Sequence, residues 1–453
     1  MKLFYILSGL FILFSIIAIA LNASIIGVII NYLNSNKNIH NNESCSFVEQ
    51  IKIDDLMKHL EQLQVIADRS NGTRAIGTQG FNETLDYITE QLKQNTNFFI
   101  RHEYFQLPNC IVEGTPQLQS RINGMIDNYV YLSNFTHILF SPSHMNSTIP
   151  SYFLSYNLGM ELVKAALDTT MNAGVLMKVN VSHAEGIGNI CADTPTGDKT
   201  KTIVVGAHSD GVLDGSGIND NGSGTIGNLV LALGLAHLLQ TSSTNYLPYQ
   251  YRVRFCWWGA EELGLLGSTY HVEQAALSSA TIENGRLQDY LVYFNYDMLA
   301  SSNFNFGILD SFVSPPGTPA QALPGTVKIT ELFQKWFDQK KLSWTQSGIG
   351  GGSDFVPFLV RGIVAGGVNT GANGIKSATN VAYDSCYHQQ CDRITNVNPF
   401  AYEKAVQAAA YAIEYLGRLN TLEKWLYPQG RSNVSELANK QQQTWIYNDP
   451  DLF

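Results

Sequence analysis

The sequence predicts an α/β fold: a mostly parallel, helix-flanked central sheet with a small inserted subdomain. Three observations carry this. Short apolar, β-branched and aromatic runs alternate with helical patterns from about Thr202 to Leu419, and parallel strands need such crossovers. The runs are apolar on both faces, as strands covered by helices on both sides must be. Polar, ligand-type residues recur where those runs end, and open sheets of this kind build their sites at the carboxyl ends of strands.

In chain order, Lys2 is followed by a nearly uncharged apolar run from Leu3 to Leu33. It outlasts both the roughly 7–15 apolar residues of a cleaved signal and the roughly 20 of a membrane span. Residues 1–35 read equally as a signal peptide, cleaved after "AIA" (Ala18 to Ala20), or as a signal anchor. Either sends the rest of the chain into the secretory pathway, whether extracellular, in a lysosomal or vacuolar lumen, or as a type II membrane-anchored protein. Glycosylation sequons agree, at Asn22, Asn42, Asn71, Asn82, Asn134, Asn146, Asn180, Asn221 and Asn433, each weak evidence alone.

From about Ile51 the pattern becomes structured. "FNETLDYITEQLKQN" has helical spacing and "FFIRHEYFQL" alternates like a strand. Residues 108–188 form a less regular insert, with "SYFLSYNLGMELVKAAL" reading as strand, turn and helix. "TIVVGAH" is a buried strand, followed by a Gly/Asn/Asp loop and a helix from about Thr225 to Leu239. "YRVRFCWW", "YLVYFNYDML" and "GIVAGGVNT" read as further strands. "LGLLGSTYHVEQA", "VKITELFQKWFDQKK" and "AYEKAVQAAAYAIEYLGRL" read as helices. The tail, 419–453, is polar and reads as a surface wrap.

Composition narrows the function. The formal net charge is −10, with no lysine or arginine block, so nucleic-acid binding lacks its basic footprint. Six cysteines fit an oxidising compartment. Sequence does not give their pairing; the expected pair is Cys386 with Cys391, five residues apart, whereas Cys256, inside an apolar strand, reads as a buried free thiol.

The chemistry lies at the strand ends. "TIVVGA" ends in His208-Ser209-Asp210, "GSGINDNGSG" carries Asp220 before a helix, and "RFCWWGA" ends in Glu261-Glu262. "LVYFNY" ends in Asp297, and "CYHQQC" presents His388. Nitrogen and oxygen donors without thiolate suit zinc, less so manganese or cobalt. Two histidines and four acids exceed one ion's needs and fit a pair of ions sharing one carboxylate. Adjacent strand-end side chains point in different directions. One of Glu261 and Glu262 can therefore bind metal while its neighbour faces the metal-bound water as general base. Singly, each residue has a plainer explanation. Asp220 and Asp354 would cap helices, Glu262 would favour a helix N-terminus, and His237 and His271 would be structural. It is the succession of ligand-type strand ends that points to a site.

"GAHSD", "GINDNGSG", "WWGAEELGLLGS", "YFNYDM" and "CYHQQCD" together resemble the motifs of the co-catalytic zinc aminopeptidases, which include secreted bacterial leucine aminopeptidases and vacuolar aminopeptidase Y. The resemblance spans roughly Ile51 to Arg418, and makes 51–107 with 189–418 the catalytic domain. It implies two Zn2+ per chain and peptide substrates. His208 and Asp297 would hold one ion, Glu262 and His388 the other, and Asp220 would bridge. Glu261 would be the general base, Asp210 would orient His208, and Tyr387 would steady the oxyanion. Cys386–Cys391 resembles the family's loop disulfide. Two departures stand out. "ILFSPS" and "SYFLSYNLGMELVKAAL" resemble the two ends of a protease-associated insert with its middle missing, and Gly352 stands where some relatives have arginine. Asn221, a sequon inside the metal loop, is expected to be unmodified.

The expectation is an aminopeptidase removing N-terminal, apolar residues. A carboxypeptidase or dipeptidase on the same fold is the alternative, for which Arg361 and Arg393 are the nearest cationic candidates. Glutaminyl cyclases share the fold with a single zinc, which the full ligand set argues against. A non-catalytic, membrane-tethered binding ectodomain would have lost a ligand or the base, and none is lost.

Overall fold

The computed structural model describes residues 46–129, 156–241, 246–277 and 279–431. The expected signal or anchor, "ILFSPS", Cys45, the sequons at Asn22, Asn42, Asn134, Asn146 and Asn433, and the tail beyond Arg431 lie outside them. The fold belongs to the compact unit from Phe47 to Phe453.

Two amphipathic helices come first. Helix α1 (Ile53–Arg69) buries Leu56, Leu60 and Leu63, a spacing that places them on one face. Helix α2 (Gln79–Asn95) buries Phe81, Leu85, Ile88 and Leu92, and begins where the Thr78 hydroxyl accepts the Phe81 N–H. Strand β1 (Phe99–Ile122) then pairs antiparallel with β2 (Met125–Tyr129) and, beyond helix α3 (Tyr156–Leu167), with β3 (Ala173–Asp193). β1 and β3 pair from Phe99 opposite Asp193 and run on through the 108–188 segment to Ile122 opposite Ala173.

The further elements that frame the site are β4 (Asp198–His208), α4 (Gly224–Thr241), β5 (Tyr251–Trp258), α5 (Leu266–Ala276), β6 (Tyr290–Tyr296), β7 (Phe306–Asp310), α6 (Leu323–Lys340), β8 (Trp344–Gly348), α7 (Phe355–Val360), β9 (Val364–Asn369), α8 (Pro399–Arg418) and α9 (Leu422–Leu426). Nine strands form one sheet in the order β2-β1-β3-β5-β4-β6-β9-β7-β8. The central strands β5, β4, β6 and β9 are parallel, as the strand–helix alternation predicts. The flanks are not: β3 joins β5 antiparallel and β7 joins β9 antiparallel. The sheet is therefore mixed. The parallel centre aims the carboxyl ends of β4, β5, β6 and β9 at one rim.

Every residue of β5 and β6 is buried. Trp257 and Trp258 are fully buried, each such side chain contributing roughly 1.5–3 kcal/mol by leaving water. Two further expectations change. Cys256 is not a free thiol: it lies directly opposite Cys191 across the β3–β5 pair, Cα atoms 4.2 Å apart, and the two form a disulfide. An apolar strand hides a cystine as readily as a thiol. The tail begins with α9, whose Leu422 and Leu426 are buried, and Tyr427 donates to the Leu291 carbonyl at 2.8 Å. His271 is structural, held between Glu103 and Tyr290, while His237 is exposed on α4.

Candidate metal centre

Five segments deliver the predicted ligands. His208 is the last residue of β4, in register with Trp258 of β5. Asp297 follows β6 directly. Glu261 and Glu262 sit in the turn between β5 and α5. Asp220 lies in the turn Ile218–Ser223 that feeds α4. His388 comes from the loop that the Cys386–Cys391 disulfide closes, with φ 57° in the left-handed region. A non-glycine residue holds that conformation where its surroundings enforce it. Here the crosslink does so, with Asp384, which accepts the Cys386 N–H at 2.8 Å and the amides of Asn219 and Asn396.

These side chains converge. Oδ1 of Asp220 lies 3.4 Å from His208 Nε2, while Oδ2 of the same carboxylate lies 3.0 Å from His388 Nε2. His208 Nε2 is also 3.4 Å from Asp297 Oδ1, and His388 Nε2 is 3.1 Å from Glu262 Oε2. Asp220 thus divides its oxygens between two histidine–carboxylate pairs. Glu261 stands further off, its Oε2 3.9 Å from His208.

The donors fit divalent cations. His208 Nδ1, Glu262 Oε1 and Asp297 Oδ1 are buried without a hydrogen-bond partner, an arrangement that is unfavourable unless something else binds there. Four carboxylates crowd two imidazoles in a low-dielectric pocket. Burial pushes Glu261 well above the usual carboxylate range, as do Asp354, Glu262 and Asp297, against the pull of His208. His388 rises to about 11, because Glu262 and Asp220 outweigh the effect of burial. Bound cations reverse this logic and let the acids ionise together. Two of the carboxylate–histidine groupings bring donor atoms within 4.8 Å of one another: His208 with Asp220 and Glu262, and His208 with Glu261 and Asp297.

Around these ligands lies a shell of holding groups. Asp210 accepts the backbone N–H groups of Glu261 and Glu262 at 3.2 and 3.3 Å, and lies 3.6 Å from His208 Nδ1. Asp210 thus holds the glutamate turn while its carboxylate also faces the imidazole of His208. Asp297 is fixed through a relay from Trp258 to Tyr293 to Asn295, whose amide donates to Ser353, whose hydroxyl donates to Asp297 at 2.6 Å. Asp354 starts α7 without capping it; its carboxylate accepts the Ser268 hydroxyl instead. Asn221 is buried and spends its amide nitrogen on the Tyr296 carbonyl, whereas the sequons at Asn71 and Asn82 are exposed.

Two supporting residues escaped the sequence reading. Asp392 accepts the N–H groups of Asn219 at 2.8 Å and Asp220 at 3.0 Å. Arg74, fully buried, donates to the carbonyls of Ser209, Ser216 and Gly217. Asp392 had a signal, as the aspartate that follows "CYHQQC". Arg74 had none, since its partners are backbone carbonyls.

The pocket over this centre has a volume of about 380 Å³. Met298, Leu309, Phe355 and Val368 line it with Asn305, Thr345, Gln346 and the glycines Gly348, Gly351 and Gly352. Tyr387 lines it too, stacked on His388 with ring centroids 3.8 Å apart. Burial, then Asp220 and Glu262, hold the Tyr387 phenol well above its ordinary value, so it keeps its proton. Among the described residues no lysine or arginine lines the pocket. Arg393 pairs with Asp68 on the surface instead.

Comparison with known proteins adds the lineage. Residues 189–413 match the model of peptidase family M28. These residues form a peptidase family M28 domain. All eight predicted site residues fall inside it. The chain is 34% identical over 271 residues to leucine aminopeptidase 2 of Trichophyton rubrum, covering 58% of this chain and 50% of that one. It is 38% identical over 278 residues to an aminopeptidase of Pseudomonas aeruginosa, covering 59% and 48%. The aligned part thus spans about half the length of the curated relatives it matches. The M28 fold extends further: a zinc aminopeptidase from Bacillus subtilis superposes with a TM-score of 0.56 at 17% identity, covering 81% of this chain and 95% of that one.

Proposed function

We propose that this chain is a zinc-dependent aminopeptidase that holds two zinc ions and removes N-terminal, apolar residues from peptides. His208 and Asp297 would hold one ion, Glu262 and His388 the other, with Asp220 between them. When bound, the ions would polarise the scissile carbonyl and acidify water. Glu261, the carboxylate farthest from an imidazole, accepts the proton of the attacking water and passes it to the leaving amine. The protonated Tyr387 phenol donates to the developing oxyanion. The substrate ammonium lies against Glu261 and Asp297, and its side chain enters the uncharged wall of Met298, Leu309, Phe355 and Val368.

The observation that carries this reading is the charge of the pocket. Acidic groups line it, and no cationic side chain among the described residues is there to meet a terminal carboxylate. This favours an aminopeptidase over a carboxypeptidase or dipeptidase. The two disulfides and the exposed sequons support a secretory route for the chain.

The test is purified protein with zinc against a panel of aminoacyl amides, with N-acetylated and C-terminally amidated peptides as controls. Cleavage should require a free amine, ignore C-terminal amidation and favour leucine or phenylalanine over lysine or aspartate. Cleavage that survives N-acetylation overturns the assignment.

A further inference from the structure

We infer that Asn189 is a positioning residue: it closes the loop Gly259–Gly267 that carries Glu261 and Glu262, and so sets where both carboxylates stand. Asn189 lies on β3, outside the metal centre, and is fully buried. Its Oδ1 accepts the Gly259 N–H at 3.0 Å, where the loop leaves β5. Its Nδ2 donates to the Gly267 carbonyl at 2.9 Å, where the loop has entered α5. One planar amide therefore ties both ends of the loop together. Only nitrogen can donate to Gly267 O, so the amide's orientation is set, and the same nitrogen donates to Glu103 Oε2 at 3.0 Å. Glu103 is itself held by His271.

The closure is tight on the other side as well. A Cβ on Gly267 would meet the Gly259 carbonyl at 2.2 Å and Asn189 Oδ1 at 2.4 Å. Within the loop, Leu266 N–H donates to Ala260 O at 3.0 Å. Ala260 and Leu265 hold φ 58°, a conformation that L-residues keep only where neighbours enforce it. Asp210 grips the loop from the metal side through the Glu261 and Glu262 N–H groups; Asn189 grips its base. The chemistry of the clamp is specific to an amide. Aspartate would present oxygen to the Gly267 carbonyl and to Glu103, and alanine would leave the buried Gly259 N–H without its acceptor.

The consequence for turnover rests on the aminopeptidase reading; the clamp does not. Asn189→Asp, Asn189→Ala and Gly267→Ala, the last displacing the loop from the opposite side, would be compared with Asn228→Ala. Asn228 is another buried amide, donating to Cys256 O away from the loop. The readouts are kcat and KM on leucine amide, bound zinc, and hydrogen exchange of the Gly259–Gly267 segment. The clamp variants should lose about 10- to 100-fold in kcat, as for a misplaced catalytic group, with KM within about threefold and zinc retained. Exchange of the Gly259 amide should accelerate in them. Asn228→Ala should keep its kcat. A folded clamp variant with kcat within about twofold of the parent, or unchanged Gly259 exchange in it, overturns the proposal. If the parent cleaves no aminoacyl amide, the functional reading fails and loop exchange alone decides the clamp. If the variants do not fold, the parent decides: its Gly259 amide must exchange as slowly as those of β5, and fast exchange there overturns the clamp.

Discussion

Arg74 Nη1 donates to the Ser209 carbonyl at 2.7 Å from a guanidinium wholly shielded from solvent. Its other hydrogen bonds reach Ser216 and Gly217, so one side chain joins the end of β4 to the loop that leads to Asp220. Burial lowers its pKa to about 10, with Asp392, Asp210, Asp220 and Glu262 resisting; it stays cationic at neutral pH. Arg74→Met would leave the Ser209 and Ser216 carbonyls without this donor in the interior, while Gly217 keeps the Gly222 N–H at 2.9 Å. At about 1–3 kcal/mol each when stranded, the expected loss is about 2 kcal/mol or more in urea unfolding, with weakened zinc binding. Arg74→Lys should recover little, since an ammonium lacks the planar fork. A full-stability Arg74→Met protein would show that the bridge is incidental.

The two adjacent glutamates should separate by experiment. Glu261→Gln should keep its zinc in equilibrium dialysis and lose turnover by about 10²- to 10⁴-fold, the range expected on removing a general base. Glu262→Gln, whose oxygen lies 3.1 Å from His388 Nε2, should lose zinc affinity first, with rate recovering as zinc is raised. Near-parental turnover in Glu261→Gln would exclude it as the proton carrier.

That contrast marks what the sequence could reveal. Glu261, Asp297 and His208 were legible because each ends a strand whose apolar run is unmistakable, and parallel strands send such ends to one rim. Asn189 and Arg74 were not legible, since both bind backbone groups brought close only by folding. β7 and β8 escaped as well, at five residues each; the half-exposed "WTQSG" of β8 carries no apolar alternation. The Cys191–Cys256 pairing depends on the β3–β5 register, which no local pattern encodes.

That disulfide should stabilise the domain. It links positions 65 residues apart, and closing such a loop in the unfolded chain is worth about 4 kcal/mol in the chain-entropy account. Cys191→Ala with Cys256→Ala should therefore unfold at lower urea, by up to about that amount. Thiol labelling of the denatured, unreduced parent should leave both cysteines unmodified. A Cys256 that reacts before reduction would restore the free-thiol expectation.

Acid should reveal the Glu103–His271 contact. Burial alone would raise Glu103, but His271, the Asn189 amide and Arg254 outweigh it and hold the carboxyl at about 2, below the ordinary glutamate value of 4.5. Between those values the unfolded chain binds the proton and the folded one does not. Stability therefore rises with pH across that window; the contribution is complete above about 4.5 and is lost as pH falls toward 2. Glu103→Gln removes the titration, so the parent-minus-variant difference in unfolding free energy should shrink steadily as pH drops from 5 to 3. Because Glu103 also receives the Asn189 amide, the same variant should speed exchange at Gly259 at neutral pH. A parent-minus-variant difference that stays flat across the acid range would mean that Glu103 titrates normally and that His271 does not hold it ionised.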